Sequence, residues 1–170
     1  MTNRAFYYVD GIPTKGIWVD LDEITDTDGV LEALASAGLI GRDEHDQPVY
    51  GGDLLVACTE GELTRHFLSR HDTFDLAGYI EAAEDADALK ADQEEVAAYI
   101  SHFGSWSRRT FEEARSGEWD SERAFAENHV DELWDVPEHL QGYIDYDKVA
   151  RDLFIDGYTF ENGYVFRTDC

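Results

Sequence analysis

Hydrophobic residues along this chain recur in two rhythms. Alternation at every second position marks strands, and recurrence at three and four marks helices. Residues 6–9 and 16–20 are rich in aromatic and β-branched side chains, with Gly11, Pro13 and Gly16 as punctuation. They predict a hairpin whose loop is longer than two residues. Asp26 or Thr27 can cap a helix running through Ala37, with Gly38 ending it. Residues 42–53 carry Pro48, Gly51 and Gly52 and read as loop, and 54–59 read as a strand returning to the first sheet. Thr59 and Glu62 form a capping-box pattern before a helix carrying Leu63, Phe67 and Leu68. Helices are expected at 74–83 and at 92–103, the second closed by Gly104. A short one at 111–116 precedes another, capped by Asp120 or Ser121, that passes Phe125 and Val130 towards Trp134. Asn162-Gly163 between the aromatic stretches 158–161 and 164–168 predicts a type I′ hairpin.

The stretch 133–153 has its own pattern. Leu133, Pro137, Leu140 and Ile144 recur at helical steps, followed by Val149 and Leu153. This predicts one buried helical face, with Pro137 in a first turn where its missing N–H costs nothing. Acids fill the other positions. The fold expected is α+β, an elongated chain of three small units: 1–60, a small sheet plus helix; 61–105, an acidic helical middle; and 106–170, helices plus a terminal β-hairpin. Trp18, Tyr143, Tyr146 and Tyr164 are expected in the core.

Charge changes this picture most. The 170 residues hold 38 acids against 13 Lys and Arg, a formal charge of −25. Self-repulsion at that level opposes compaction. Direct nucleic-acid binding is disfavoured, because phosphates need cations. A solvated surface without function, adaptation to high salt, and imitation of a polyanion all fit the composition, which by itself favours the first two. Acids three and four apart crowd the middle: Glu81, Glu84, Asp85 and Asp87, then Asp92, Glu94 and Glu95, with Lys90 alone interrupting. Such spacing costs a helix a few tenths of a kcal/mol per pair, so stability does not ask for it.

Residues 1–9 have no apolar run adequate for a signal peptide, and the longest apolar run, 54–58, is far short of a membrane span. Cys58 is expected to be a small buried hydrophobe and Cys170 to be free, which suits a reducing cytoplasm. No nucleotide-binding glycine loop is present. His66 and His71, five apart, fall on different sides of a helix, and with Cys58 they make a weak metal set; packing or surface roles are the better reading. Acid pairs at glycosidase-like separations arise by chance in so acidic a chain. No cofactor, no metal and no enzymatic activity are expected.

The segment LQGYIDYDKVARDL, residues 140–153, resembles the C-terminal signature of ArdA-type antirestriction proteins. The likeness extends more loosely to FYYVDGIPTKGIWVDL near the start and to the acidic middle. The resemblance implies a cytoplasmic homodimer that mimics duplex DNA and occupies the DNA-binding groove of type I restriction–modification enzymes. The partner-binding surface nominated from the acidic pattern comprises Asp72, Asp75, Glu81, Glu84, Asp85, Asp87, Asp92, Glu94 and Glu95 in the middle, where residues cannot be matched to the family one by one. In the last third it comprises Glu112, Glu113, Glu118, Asp131, Glu132, Asp135, Glu138, Asp145, Asp147 and Asp152. Trp106, Trp119, Phe125 and Trp134 are also expected in the core, but four such large residues exceed what so small a unit readily buries, so they are candidates for a dimer interface, where aromatics are enriched. Arg108, Arg109, Arg115, Arg123, Lys148 and Arg151 then need internal partners or outlying positions. An acidic chaperone-like module shielding another basic protein, and a small acid-dependent hydrolase, are the competing functions.

Overall fold

The computed structural model describes residues 2–169. Among them it has seven α-helices and three small antiparallel sheets, an α+β arrangement. The chain divides into two compact units, residues 1–97 and 98–170, with the boundary inside one helix. The reading of Cys170 lies outside the described residues.

In the first unit, β1 (Arg4–Tyr8) is the central strand of a sheet ordered β2-β1-β5, with β2 (Gly16–Asp20) and β5 (Leu55–Glu60) both antiparallel to it. The expected long loop joins β1 to β2, and Asp10 and Gly11 turn it at φ of 57° and 66°. Gly16 is obligatory there: a Cβ would stand 2.6 Å from the Tyr7 carbonyl oxygen. Ala5, Tyr7, Val19 and Val56 point inward against Val30 and Leu34 of α1 (Thr27–Ser36), all buried. Asp26 caps α1 by accepting from the Gly29 N–H at 3.0 Å, and Gly38 ends it at φ of 76°. Residues 42–53 are not wholly loop. β3 (Gly41–Arg42) pairs with β4 (Pro48–Val49), because the Asp43 carboxylate accepts from the His45 and Gln47 amides and closes the turn.

Three expectations fail here for local reasons. Cys58 is exposed, since a bulge opposite Phe6 breaks the alternation that buries Val56. Trp18 is 38% exposed: it falls on the sheet's outer face, edge-on to Phe6 and under the Arg4 guanidinium at 4.7 Å. The capping box does not form, because Thr59 stays in β5; the chain then makes one 3₁₀ turn, Thr64–Phe67, held by Thr64 Oγ1 donating to the Gly61 carbonyl. Conversely, α2 (Leu76–Leu89) runs further than periodicity suggested, through Glu84, Asp85 and Asp87. Asn3 ties the unit together, donating to Asp22 at 2.8 Å and to Gln93 at 2.9 Å.

The helix α3 (Gln93–Phe103) begins in the first unit and ends in the second. In the second unit, Ser107 caps α4 (Arg108–Ala114), and the chain then turns into a strand the sequence pattern missed, β6 (Arg115–Glu118). It pairs with β8 (Tyr164–Arg167), which pairs with β7 (Tyr158–Glu161), giving the order β6-β8-β7. Asn162 and Gly163 connect β7 to β8 at φ of 51° and 92°, as a type I′ turn requires. One aromatic core gathers Tyr99, Phe103, Trp106, Phe111 and Phe166, and another gathers Trp119, Phe125, Phe154 and Tyr158.

The stretch 133–153 is not one buried helical face. It divides among the end of α5 (Glu122–Leu133), the single turn α6 (Glu138–Gln141) and α7 (Tyr146–Asp156). Leu133 and Leu140 are 68% and 45% exposed, and Tyr143 is 86% exposed. Each break resets the helical phase. The Trp134 backbone leaves the helix extended, Pro137 stands as the N-cap of α6, and Asp145 starts α7 afresh by accepting from the Lys148 N–H at 3.1 Å. Only Ala150 of α7 is fully buried, with Ile144, Tyr146, Val149 and Leu153 half-buried.

Candidate partner-binding surface

The acids of the first unit stand on an amphipathic helix. Leu76, Tyr79, Ala82 and Ala86 bury one stripe of α2. Glu81, Glu84 and Asp87 are exposed around it and make no ion pair among the described residues, while Asp85 is half-buried. Asp75 is the N-cap, accepting from the Gly78 N–H at 3.0 Å, so its oxygens serve the helix start first. Asp72 turns the chain at φ of 57° and accepts the Tyr8 hydroxyl, a hydrogen bond that holds the phenol's pKa above its ordinary value. Asp92 and Glu94 are exposed at the start of α3. Glu95 is only 4% exposed, because the turn that carries it also buries Val96, Tyr99 and Ile100; its carboxylate is not displayed.

The second unit arranges its acids differently. Arg123 donates to Glu127 at 2.9 Å and to Asp147 at 3.2 Å; Glu127 chiefly, then Asp147, raise its pKa. Arg108 stands 3.8 Å from Glu112, and Arg109 stands 3.1 Å from Glu113. Each such exposed pair contributes little to stability, but it cancels charge locally. Asp145 is occupied as the α7 cap, and Glu132 accepts from Asn128 at 3.5 Å. Glu118, Asp131, Asp135, Glu138 and Asp152 are exposed. The site residues expected from sequence thus separate into displayed acids, capping acids, paired acids and one buried acid.

Residues 6–166 match the family model described as antirestriction protein (ArdA). The chain belongs to the ArdA antirestriction family. No curated protein matches it. The family match spans nearly the whole of both units and carries the antirestriction function, and with it an interaction with restriction–modification enzymes.

The four aromatics considered for a dimer interface occupy three environments in this ArdA protein. Phe125 is buried at 6% exposure. Trp106 and Trp119 are half-buried, the first against Tyr99 and Phe111, the second with its Nε1 donating to the Ser116 carbonyl at 2.8 Å. Trp134 is 48% exposed. Sequence reasoning missed its exposed companions Leu133, Leu140, Tyr143 and Ile155, because helical spacing made Leu133 and Leu140, and aromatic character Tyr143, look like core. Among the described residues, no three His, Cys, Asp or Glu side chains are placed to hold a metal ion, and no helix is long and apolar enough to cross a membrane. Partial burial, followed by the Arg65 charge, lowers the His66 pKa, so the imidazole favours its neutral form. A hollow of about 350 Å³ beside α2, lined in part by Glu81 and Glu84, was also not legible from periodicity.

Proposed function

We propose that this ArdA protein acts in the cytoplasm as a homodimer whose displayed carboxylates stand in for DNA phosphates and compete for the DNA-binding groove of type I restriction–modification enzymes. The supporting observation is that Glu81, Glu84 and Asp87 are exposed with no ion pair among the described residues, on a helix whose other face is core. A surface that existed only for solubility has no need to keep like charges one turn apart, where they repel. Duplex DNA carries one charge per about 1.7 Å of axis. A dimer at twice −25 therefore holds as much charge as about 85 Å of duplex. The groove's Lys and Arg bind non-specific sequence through phosphates, and a preformed protein surface meets them without the cost of bending DNA. The exposed apolar side chains Leu133, Trp134, Leu140, Tyr143 and Ile155 supply the second copy's contact.

The test is a titration of a type I restriction enzyme bound to labelled duplex, repeated over a range of salt. Duplex should be displaced without metal or cofactor in the inhibitor. Apparent affinity should fall by orders of magnitude between low and physiological ionic strength. Inhibition of cleavage with the duplex still bound, or displacement indifferent to salt, overturns the proposal.

A further inference from the structure

The hollow beside α2 is more than a gap between charges. Leu76, Ala77 and Ile80 form its apolar wall, and its carboxylates are Asp26, Glu81 and Glu84. Asp26 is already committed to capping α1. Glu81 and Glu84 are exposed and make no ion pair among the described residues. They are three residues apart on α2, so their Cβ atoms are neighbours at about 5–6 Å. An apolar slot edged by two such carboxylates complements one kind of side chain: an alkyl stem that ends in a planar cation. The stem covers apolar surface while the guanidinium reaches both acids in a forked contact, which a lysine ammonium cannot reproduce.

We propose that this hollow seats an arginine side chain from the DNA-binding groove of the restriction–modification partner. The proposal rests on the groove reading of the proposed function and deepens it. A DNA phosphate offers that arginine oxygens but no apolar seat for its stem. The hollow therefore adds a contact that duplex cannot match: an apolar seat for the alkyl stem beside the two carboxylates. Imitation of phosphates alone needs Glu81 and Glu84 but not the hollow.

Filling the slot without touching charge separates the two. Ala77→Phe projects a ring into the hollow, Ala77→Val does so more mildly, and Ala57→Phe is the control, exposed on β5 and outside the lining. Displacement of labelled duplex from the restriction enzyme should weaken about tenfold for Ala77→Phe, as for an interface anchor. Ala77→Val should weaken it less, and Ala57→Phe not at all, with melting temperature and salt slope unchanged in all three. Displacement by both Ala77 variants equal to that of the unsubstituted protein overturns the arginine seat and leaves the groove reading standing. Failure of the unsubstituted protein to displace duplex overturns the groove reading itself, and the seat with it. On the unsubstituted protein, a hexa-arginine peptide should shift the methyl resonances of Ala77 and Ile80 more than hexa-lysine does. Equal or absent shifts overturn the seat independently of any variant.

Discussion

The helix α2 and the stretch from the end of α5 to α7 are both acidic, yet they use their surfaces in opposite ways. On α2 the apolar residues are inside and the exposed acids stand without ion pairs. Around α5–α7 the acids are partly tied down, Asp147 by Arg123 and Asp145 by the α7 amides, while Leu133, Trp134, Leu140 and Tyr143 face solvent. The counts run the same way. The first unit holds 22 acids against 6 Lys and Arg, and the second 16 against 7. The difference teaches that net charge, although it points to the same unit, does not say which carboxylates are displayed. What counts is charge left unpaired on a rigid element whose packing lies on the other side.

The largest expected effect breaks this comparison at its charged end. Reversing Glu81, Glu84 and Asp87 together to Lys sets like charges against the partner's cations, which costs several kcal/mol, so inhibition should fall a hundredfold or more, about two decades. The same reversal at Asp131, Asp135 and Glu138 should cost less than about tenfold, read in the same duplex-displacement titration. Equal losses would erase the distinction between the regions.

The apolar end is tested next. Leu140→Ser with Tyr143→Ser should raise the dissociation constant of the proposed dimer by about tenfold or more in analytical ultracentrifugation, the loss expected of interface anchors. Leu140 is 45% exposed, so Leu140→Ala should cost the monomer well under the roughly 2–5 kcal/mol of a buried leucine. A full cavity-sized loss in a dilute thermal melt would mean that Leu140 is core after all.

A smaller effect separates capping from display. Asp145→Ala removes the α7 cap and should cost about 1 kcal/mol by chemical denaturation, whereas Asp145→Asn keeps an accepting oxygen and should be close to neutral. Pairing Asp145→Asn with Asp147→Asn should weaken inhibition less than about threefold, because the first oxygen was serving a helix and the second an arginine.

The smallest effect concerns the interior of the first unit. Tyr7 is 3% exposed, and its hydroxyl has no hydrogen-bond partner among the described residues; burial pushes its pKa well above the ordinary value. A raised folded pKa means that full stability is present below about pH 10 and is lost as pH climbs beyond it, since the unfolded phenol ionises first. Burial does the same to Tyr79, followed by the charges of Asp22 and Asp20. Tyr7→Phe should therefore raise stability slightly at neutral pH, by about 1 kcal/mol or less, and flatten part of the alkaline loss in melts taken above pH 10.

Much of this protein was legible in its sequence alone. The β1–β2 hairpin, helix starts narrowed to Asp26 or Thr27 and to Asp120 or Ser121, Gly38 and Gly104 as stops, and the Asn162-Gly163 turn are local matters, decided within a few residues by φ, by side-chain acceptors and by alternation; the structure then picks Asp26 and Ser121 as the caps. The family likeness rested on the 140–153 segment and on the opening strands, and the match over residues 6–166 agrees with it. Other features needed the tertiary structure. Periodicity across 133–153 assumed one shared buried face; the breaks after Leu133 and at Asp145 reset the phase and turned core positions outward. Cys58 obeyed a bulge set by its pairing with β1, and β6 needed β8 beside it to be a strand at all. Glu95 and Glu84 look alike in sequence, both acids in helical stretches. One is buried and one displayed, because burial depends on which elements pack against each helix face, and no local pattern carries that information.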